Sequence, residues 1–151
     1  GEPTLMPQIS LAPYAQQILT IAETVYRWSV QISALDTARR EKVALYAEEI
    51  AATLARAAEA FVVLDRQPDD KQQLIAACRE LGRVNGYLET IVGALARHLD
   101  GRKLAGVKRR LEHLHPFDPQ AMIAERGAFA NASRLTAAEG YFRALADALR
   151  A

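Results

Sequence analysis

The residues best suited to bind an anion are six basic side chains between positions 97 and 110. They are Arg97, Arg102, Lys103, Lys108, Arg109 and Arg110. Only Asp100 opposes them in that segment, so six positive charges minus one negative charge leave a local net charge of +5. Arg102 and Arg109 are seven residues apart, as are Lys103 and Arg110, so a helix would carry two basic rows that could hold phosphates. The alternative is a solvated face balanced by acids on another helix, such as Glu48 and Glu49.

A second unusual feature is a set of three glycines, Gly82, Gly86 and Gly93, within a predicted helix. Their spacings of four and seven put them on one side of it, although each costs roughly 1 kcal/mol relative to alanine. We therefore expect another backbone or a bound molecule to lie close to that side of the helix. One option is a second backbone on the alanine-rich side of the preceding helix, at Ala44, Ala51, Ala55 and Ala58. The other is a ligand or partner helix, with polar groups supplied by Arg79, Arg83, Asn85 and Glu89.

The three histidines, His98, His113 and His115, are not spaced for metal binding. His113 and His115 are only two residues apart, so they cannot share a helix face, and no acid or thiol at helical spacing completes a set. Paired Glu-x-x-His units, which di-iron bundles need, do not occur. Serine-hydrolase elbows, phosphate-cradling loops and dinucleotide fingerprints are also missing from the sequence. The sequence therefore predicts no metal and no cofactor, and favours a protein that is not an enzyme.

One short segment nevertheless resembles an enzyme family. The run Arg110-Leu-Glu-His-Leu-His115 has an arginine and a histidine separated by four residues. It resembles the Arg-x4-6-His motif of HEPN ribonucleases, which are also small helical bundles. The resemblance covers six residues and implies that Arg110 and His115 act on the RNA backbone. It departs from the family at Leu111, where a polar residue is usual.

Apolar residues recur every three or four positions, which predicts long amphipathic helices. We expect an extended leader over 1–12 and helices over 13–34, 37–66, 69–99 and 102–114. The stripe of the first helix is Tyr14, Ile18, Ile21, Val25, Trp28, Ile32 and Leu35. Because only Gln67 and Pro68 separate the second and third helices, these two should form a long antiparallel hairpin.

Capping residues set the other predicted boundaries. Asp100 with Gly101 should end the third helix. Asp118 before Pro119 should open a modest helix that Gly127 or Asn131 ends. The capping box from Thr136 to Glu139 should open the last helix. The prediction is an all-α, up-and-down helical bundle, with one domain over 13–151.

The composition is typical of a folded protein, and the net charge is too small to attract nucleic acid or an anionic membrane to the whole molecule. Half of the residues are hydrophobic, and the formal net charge is +1. The one cysteine, Cys78, needs no oxidising compartment, and no apolar run is long enough to span a bilayer, so we expect a cytoplasmic protein. The sequence begins at Gly1, which leaves room for a preceding signal peptide. Its excess of arginine over lysine, 15 to 4, suggests a bacterial genome.

These patterns predict an interaction or regulatory domain that works through protein–protein contacts. On the first helix, Tyr26 and Trp28 lie about 200° apart, so both sides carry a large aromatic residue. Val30 and Leu19 widen the apolar area further. Since two-fold pairing is the commonest way to bury such a patch, we expect a homodimer. The alternative is an RNA-directed bundle that uses the basic segment 97–110.

Overall fold

The all-α bundle expected from the periodicity is confirmed. The computed structural model describes residues 11–114 and 128–151, and within these ranges all regular structure is helical. The helices are α1 (Leu11–Arg27), α2 (Ser29–Ser33), α3 (Thr37–Arg66), α4 (Lys71–Leu95), α5 (Gly101–Glu112) and α6 (Ala128–Arg150). The expected leader and the expected helix from Pro119 lie almost entirely outside the described residues.

The first predicted helix is interrupted at Trp28. Instead of one helix over 13–34, the chain forms α1 and the short α2, with Trp28 between them. There the backbone N–H of Trp28 donates to the carbonyl of Val25, three residues back, at 3.0 Å. Such a bond tightens the turn relative to an α-helix. The stripe continues through the break, since Val25, Trp28 and Ile32 are all buried.

α3 and α4 form the predicted long hairpin. The bounds of α3, Thr37–Arg66, are those expected. α4 begins at Lys71, where the Asp70 carboxylate accepts a hydrogen bond from the backbone N–H of Gln73 at 3.1 Å. This cap satisfies one of the free donors at the start of the helix.

The predicted end of the third helix was wrong. α4 ends at Leu95, and Asp100 starts the next helix instead of stopping this one. The Asp100 carboxylate accepts from the backbone N–H of Arg102 at 2.9 Å, and Gly101 is already the first residue of α5. Aspartate before glycine is compatible with a helix end or a helix start. Here the Asp100 carboxylate caps the backbone N–H of Arg102, which is the role of a residue that precedes a helix.

The predicted start of the last helix was also wrong. α6 runs without a break from Ala128 to Arg150, so Asn131 does not end a helix and Thr136 does not cap one. The Thr136 hydroxyl donates to the carbonyl of Ala132 at 2.9 Å inside the helix, and Glu139 pairs with Arg143 at 2.7 Å. Buried Asn131 accepts from Arg134 at 2.7 Å. Polar residues typical of caps are thus satisfied within the helix.

One continuous cluster of buried apolar side chains joins the helices. α6 lies between α3 and α1 and contacts both. It runs antiparallel to α3, because Arg150 at its end pairs with Glu41 and Glu48 near the start of α3. α5 contacts both α4 and α1, and so covers the seam between them.

A buried hydrogen bond ties α1 to α4 inside this bundle. The Tyr14 hydroxyl lies 2.6 Å from Oδ1 of Asn85 and 3.3 Å from the carbonyl of Leu81. Tyr14 is fully buried, and burial raises the pKa of its phenol well above the ordinary value near 10. The neutral phenol is the donor in this bond. Its stabilising effect is therefore present below about pH 10 and is lost as the pH rises further.

We expect Tyr14→Phe to lower the free energy of unfolding by about 1–3 kcal/mol, because it leaves the buried Asn85 oxygen without its donor. Adding Asn85→Leu should recover part of the loss, since removing both polar partners avoids the unsatisfied group. Urea denaturation of the two single variants, the double variant and the wild type gives the coupling energy. Equal stabilities of Tyr14→Phe and the wild type would show that the bond contributes nothing.

Candidate functional surfaces

The basic residues of segment 97–110 lie on and beside α5, and all six are exposed. The apolar side of α5 is buried as expected, through Leu104, Val107 and Leu111. At about 100° per residue, Arg102 and Arg109 point almost directly away from that buried side. Lys103 and Arg110 form the second row, on one flank of the helix. The two predicted rows therefore reach the surface.

The two flanks of α5 differ in charge. On the flank towards α1 and α2, Arg110 donates to the side-chain oxygen of Gln17 at 3.1 Å. Lys103 lies 3.2 Å from the Gln31 amide, in the orientation in which Gln31 accepts this bond and donates to the Trp28 carbonyl. On the other flank, Lys108 lines a groove together with Glu89 and Glu112. Glu89 and Glu112 therefore lie on the Lys108 flank, away from the row of Lys103 and Arg110.

The expected neutralisation by Glu48 and Glu49 is not what the structure shows. Glu48 pairs with Arg150 at the end of α6. Glu49 contributes to the electrostatic environment of Arg83 on α4. Within residues 11–114 and 128–151, none of the six basic side chains of segment 97–110 forms an ion pair.

The Arg110–His115 pair is only half described. Arg110 is exposed near the end of α5 and uses its guanidinium on Gln17. His115 lies outside the described residues. Catalysis by this pair stays a prediction of the resemblance to HEPN ribonucleases.

The glycine side of α4 faces outwards. Gly82, Gly86 and Gly93 fall within about 40° of one another, opposite the buried stripe that contains Leu81 and Leu88. A Cβ atom placed on any of the three would meet no other atom within 4 Å. No backbone of the described residues packs there, so the expected contact with the alanine-rich side of α3 is wrong. Most of those alanines are buried in the core instead. A role for this side in binding a ligand or partner stays a prediction.

Because the space beside these glycines is open, we expect Gly82→Ala, Gly86→Ala and Gly93→Ala each to raise the free energy of unfolding by about 0.4–1 kcal/mol. The physical reason is the lower conformational entropy of alanine in the unfolded chain and its higher helix propensity. Thermal or urea denaturation of the three variants provides the measurement. A loss of stability in any of them would mean that something packs against that glycine.

A shallow apolar groove, which the sequence analysis missed, lies between α1 and α6. Tyr26 and Tyr141 both line it, with ring centroids 5.7 Å apart and planes at 57°. Its other lining residues are Ala137, Gly140 and Ala144, and its volume is 280 Å³. The spacing of these small residues along α6, three and then four, was the available signal. We call this surface the tyrosine groove.

The sequence predicts apolar residues on two sides of the first helix, and the structure exposes those on one side. Trp28 is buried, so one of its two aromatic sides is used within the fold. On the other side, Tyr26 is 37% exposed although it contacts Tyr141, and Val30 is 77% exposed. Tyr26 lies on α1, before the break at Trp28, and Val30 lies on α2, after it. Apolar surface therefore remains exposed at Tyr26 and at Val30.

One buried carboxylate lies at the seam between α3 and α4. Glu80 is 8% exposed, and its Oε2 is 3.2 Å from Nε of Arg56 and 4.0 Å from Nη1 of Arg83. The Arg83 guanidinium also donates to the Tyr87 hydroxyl at 3.2 Å and lies 5.8 Å from the centre of that ring. This cluster ties the two helices together.

The described residues contain neither a metal site nor a membrane-spanning helix. No three side chains of His, Cys, Asp or Glu in the described ranges come together as a metal site. No helix in those ranges has the length and apolar character needed to span a membrane. Neither models of known protein families, nor curated proteins, nor solved structures match this chain.

Proposed function

We propose that this chain is a non-enzymatic interaction domain that works by pairing helix surfaces, and that it pairs with a second copy of itself. The observations that support this proposal are the tyrosine groove and the exposed side chain of Val30 on α2. Contiguous apolar surface on a folded protein is typical of interfaces. Tyrosine is also enriched in interfaces, because it combines a large contact area with a hydroxyl that can hydrogen bond.

The composition of the groove suits close approach of another helix. Its five lining residues carry no charge, so covering them leaves no ion without solvent. Gly140 lies in the middle of α6, where it costs about 1 kcal/mol relative to alanine. No neighbour in the described part of the chain requires it, because a Cβ there would meet nothing within 4 Å. A partner helix that packs closely on this side supplies the reason for a glycine.

A second copy is the occupant that we favour. Two-fold pairing places the same patch on both sides of an interface, so one groove is enough. In such a pair, α6 of one protomer lies on α6 of the other, and Tyr26 and Val30 border the contact. A bacterial source and a cytoplasmic location belong to the same proposal, supported by the arginine excess and the single cysteine.

Sedimentation equilibrium from about 1 to about 200 µM tests self-association, because a dimer dissociates on dilution. We expect a mass approaching twice 16.6 kDa at the higher concentrations. Gly140→Glu should reduce the mass to that of one chain. The substitution adds a charge to the groove without a clash inside the protomer.

Gly82→Glu is the matched control, since it makes the same change at another open glycine, on the outer side of α4. It should leave the dimer intact. A mass of one chain at every concentration would reject self-association. A dimer that Gly82→Glu breaks and Gly140→Glu leaves unchanged would place the interface on the glycine side of α4. A monomer whose groove binds a different protein would show that the occupant is not a second copy.

A further inference from the structure

Four exposed basic side chains lie close together on the surface of α5. We define the basic face of α5 as Arg102, Lys103, Arg109 and Arg110, which form the two rows described above. All four side chains are exposed, and the residues of each row are about 10 Å apart along the helix axis. The face is separate from the tyrosine groove, which involves α1 and α6, so it does not depend on self-association.

Within residues 11–114 and 128–151, no carboxylate forms an ion pair with the four side chains of the face. The nearest polar partners that the structure gives are the uncharged amides of Gln17 and Gln31. Asp100 directs its carboxylate to the backbone N–H of Arg102, where it caps α5. Glu89 and Glu112 lie on the opposite flank, beside Lys108. The four cationic side chains of the face thus lie together at the surface. The amides of Gln17 and Gln31 lie on one side of them and can accept or donate hydrogen bonds.

We infer that the basic face of α5 binds the phosphodiester backbone of a nucleic-acid duplex. α5 is about 18 Å long, and a duplex carries one negative charge per ~1.7 Å, so about ten charges lie within its reach. Guanidinium groups suit this partner because they bind phosphate oxygens in a bidentate manner.

Two other anionic partners fit the face less well. A membrane surface is disfavoured because the apolar residues of α5, including Leu104 and Leu111, are buried inside the bundle and have nothing to insert. An acidic protein segment usually needs a pocket for an anchoring side chain as well as charge. The groove that borders α5 lies on the Lys108 flank and contains the carboxylates of Glu89 and Glu112. A phosphate backbone requires neither insertion nor a pocket.

The composition of α5 also predicts how the duplex is recognised. Residues 97–114 include no Phe, Tyr or Trp, so bases have no large aromatic surface on which to stack. Contacts to phosphates alone carry no sequence information. We therefore expect two duplexes of unrelated sequence to bind with affinities within about threefold of each other.

Fluorescence anisotropy with a labelled duplex of about 20 base pairs tests the inference, because phosphate contacts make binding strongly salt-dependent. Four contacts predict a slope of log K against log salt of about −3.6, which is a loss of about 150-fold between 50 and 200 mM salt. The double variant Arg102→Gln/Arg109→Gln should halve that slope and weaken binding at low salt by at least about tenfold.

The matched control is Arg66→Gln/Lys71→Gln, which removes two exposed positive charges at the turn between α3 and α4. This turn lies more than about 25 Å along α4 from the residues beside α5. The control should bind within about twofold of the wild type, whereas an equal loss would show that only net charge matters. Circular dichroism and thermal denaturation establish that both double variants remain folded.

Three outcomes would overturn the inference. One is no anisotropy change for the wild type with either duplex at protein concentrations up to about 100 µM and low salt. A second is binding that Arg102→Gln/Arg109→Gln does not alter. The third is tighter binding of polyglutamate or of vesicles with anionic lipids than of the duplexes, because either would assign the face to an acidic protein or to a membrane.

Discussion

Phe142→Ala is expected to lower the free energy of unfolding by about 3–5 kcal/mol. Phe142 is fully buried on α6, the helix that lies between α3 and α1. Truncation to alanine removes the transfer free energy of the ring and leaves a cavity that helices packed on two sides cannot easily close. The size of this loss depends on the position of α6, so it tests how α6 packs in the bundle.

Urea denaturation followed by circular dichroism provides the measurement. Asp147→Ala is the control on the same helix, since Asp147 is exposed and its replacement should change stability by less than about 0.5 kcal/mol. A loss for Phe142→Ala no larger than that of the control would mean that α6 does not pack on the bundle as described.

Leu54→Ala and Leu88→Ala are each expected to lower the free energy of unfolding by about 2–5 kcal/mol. Both side chains are fully buried, at the middle of the stripes of α3 and α4. Positions in the middle of a long hairpin are far from frayed ends, so the surrounding helices relax little into the cavity. The spread in the expected loss reflects how far each site can collapse.

Leu45→Ala is the matched control for this pair, because it makes the same chemical change on α3 at a side chain that is 51% exposed. We expect its effect to be below about 1 kcal/mol, since surface substitutions without special contacts are nearly neutral. Equal losses at Leu45 and Leu54 would contradict the assignment of the buried stripe. The variants can share the same urea titration, with the midpoint and the slope compared for each.

The sequence by itself determined the helical nature of the chain and the inward side of most helices. Apolar residues at spacings of three and four define one side of a helix, and that geometry is fixed by 3.6 residues per turn. The bounds of α3 and the buried stripe from Tyr14 to Ile32 follow from this rule. The outward position of the basic rows on α5 follows from it as well.

Local signals were less reliable where one residue type serves several roles. Asp100 was expected to end a helix and Thr136 to begin one, and both expectations were wrong. Aspartate and threonine can cap a helix, or can bond to neighbouring groups within it or beside it. The choice depends on whether the adjoining segments have a core to pack against.

Only the tertiary structure decided which outward surfaces are covered. The glycine side of α4 is open, whereas Trp28 is buried and Tyr26 meets Tyr141 from a helix more than 100 residues later. Glu48 pairs with Arg150, so it does not neutralise the basic face of α5. Spacing fixes a side chain's direction from its own helix axis, because that geometry is local. What lies opposite depends on contacts between residues far apart in sequence, which spacing along one helix does not encode.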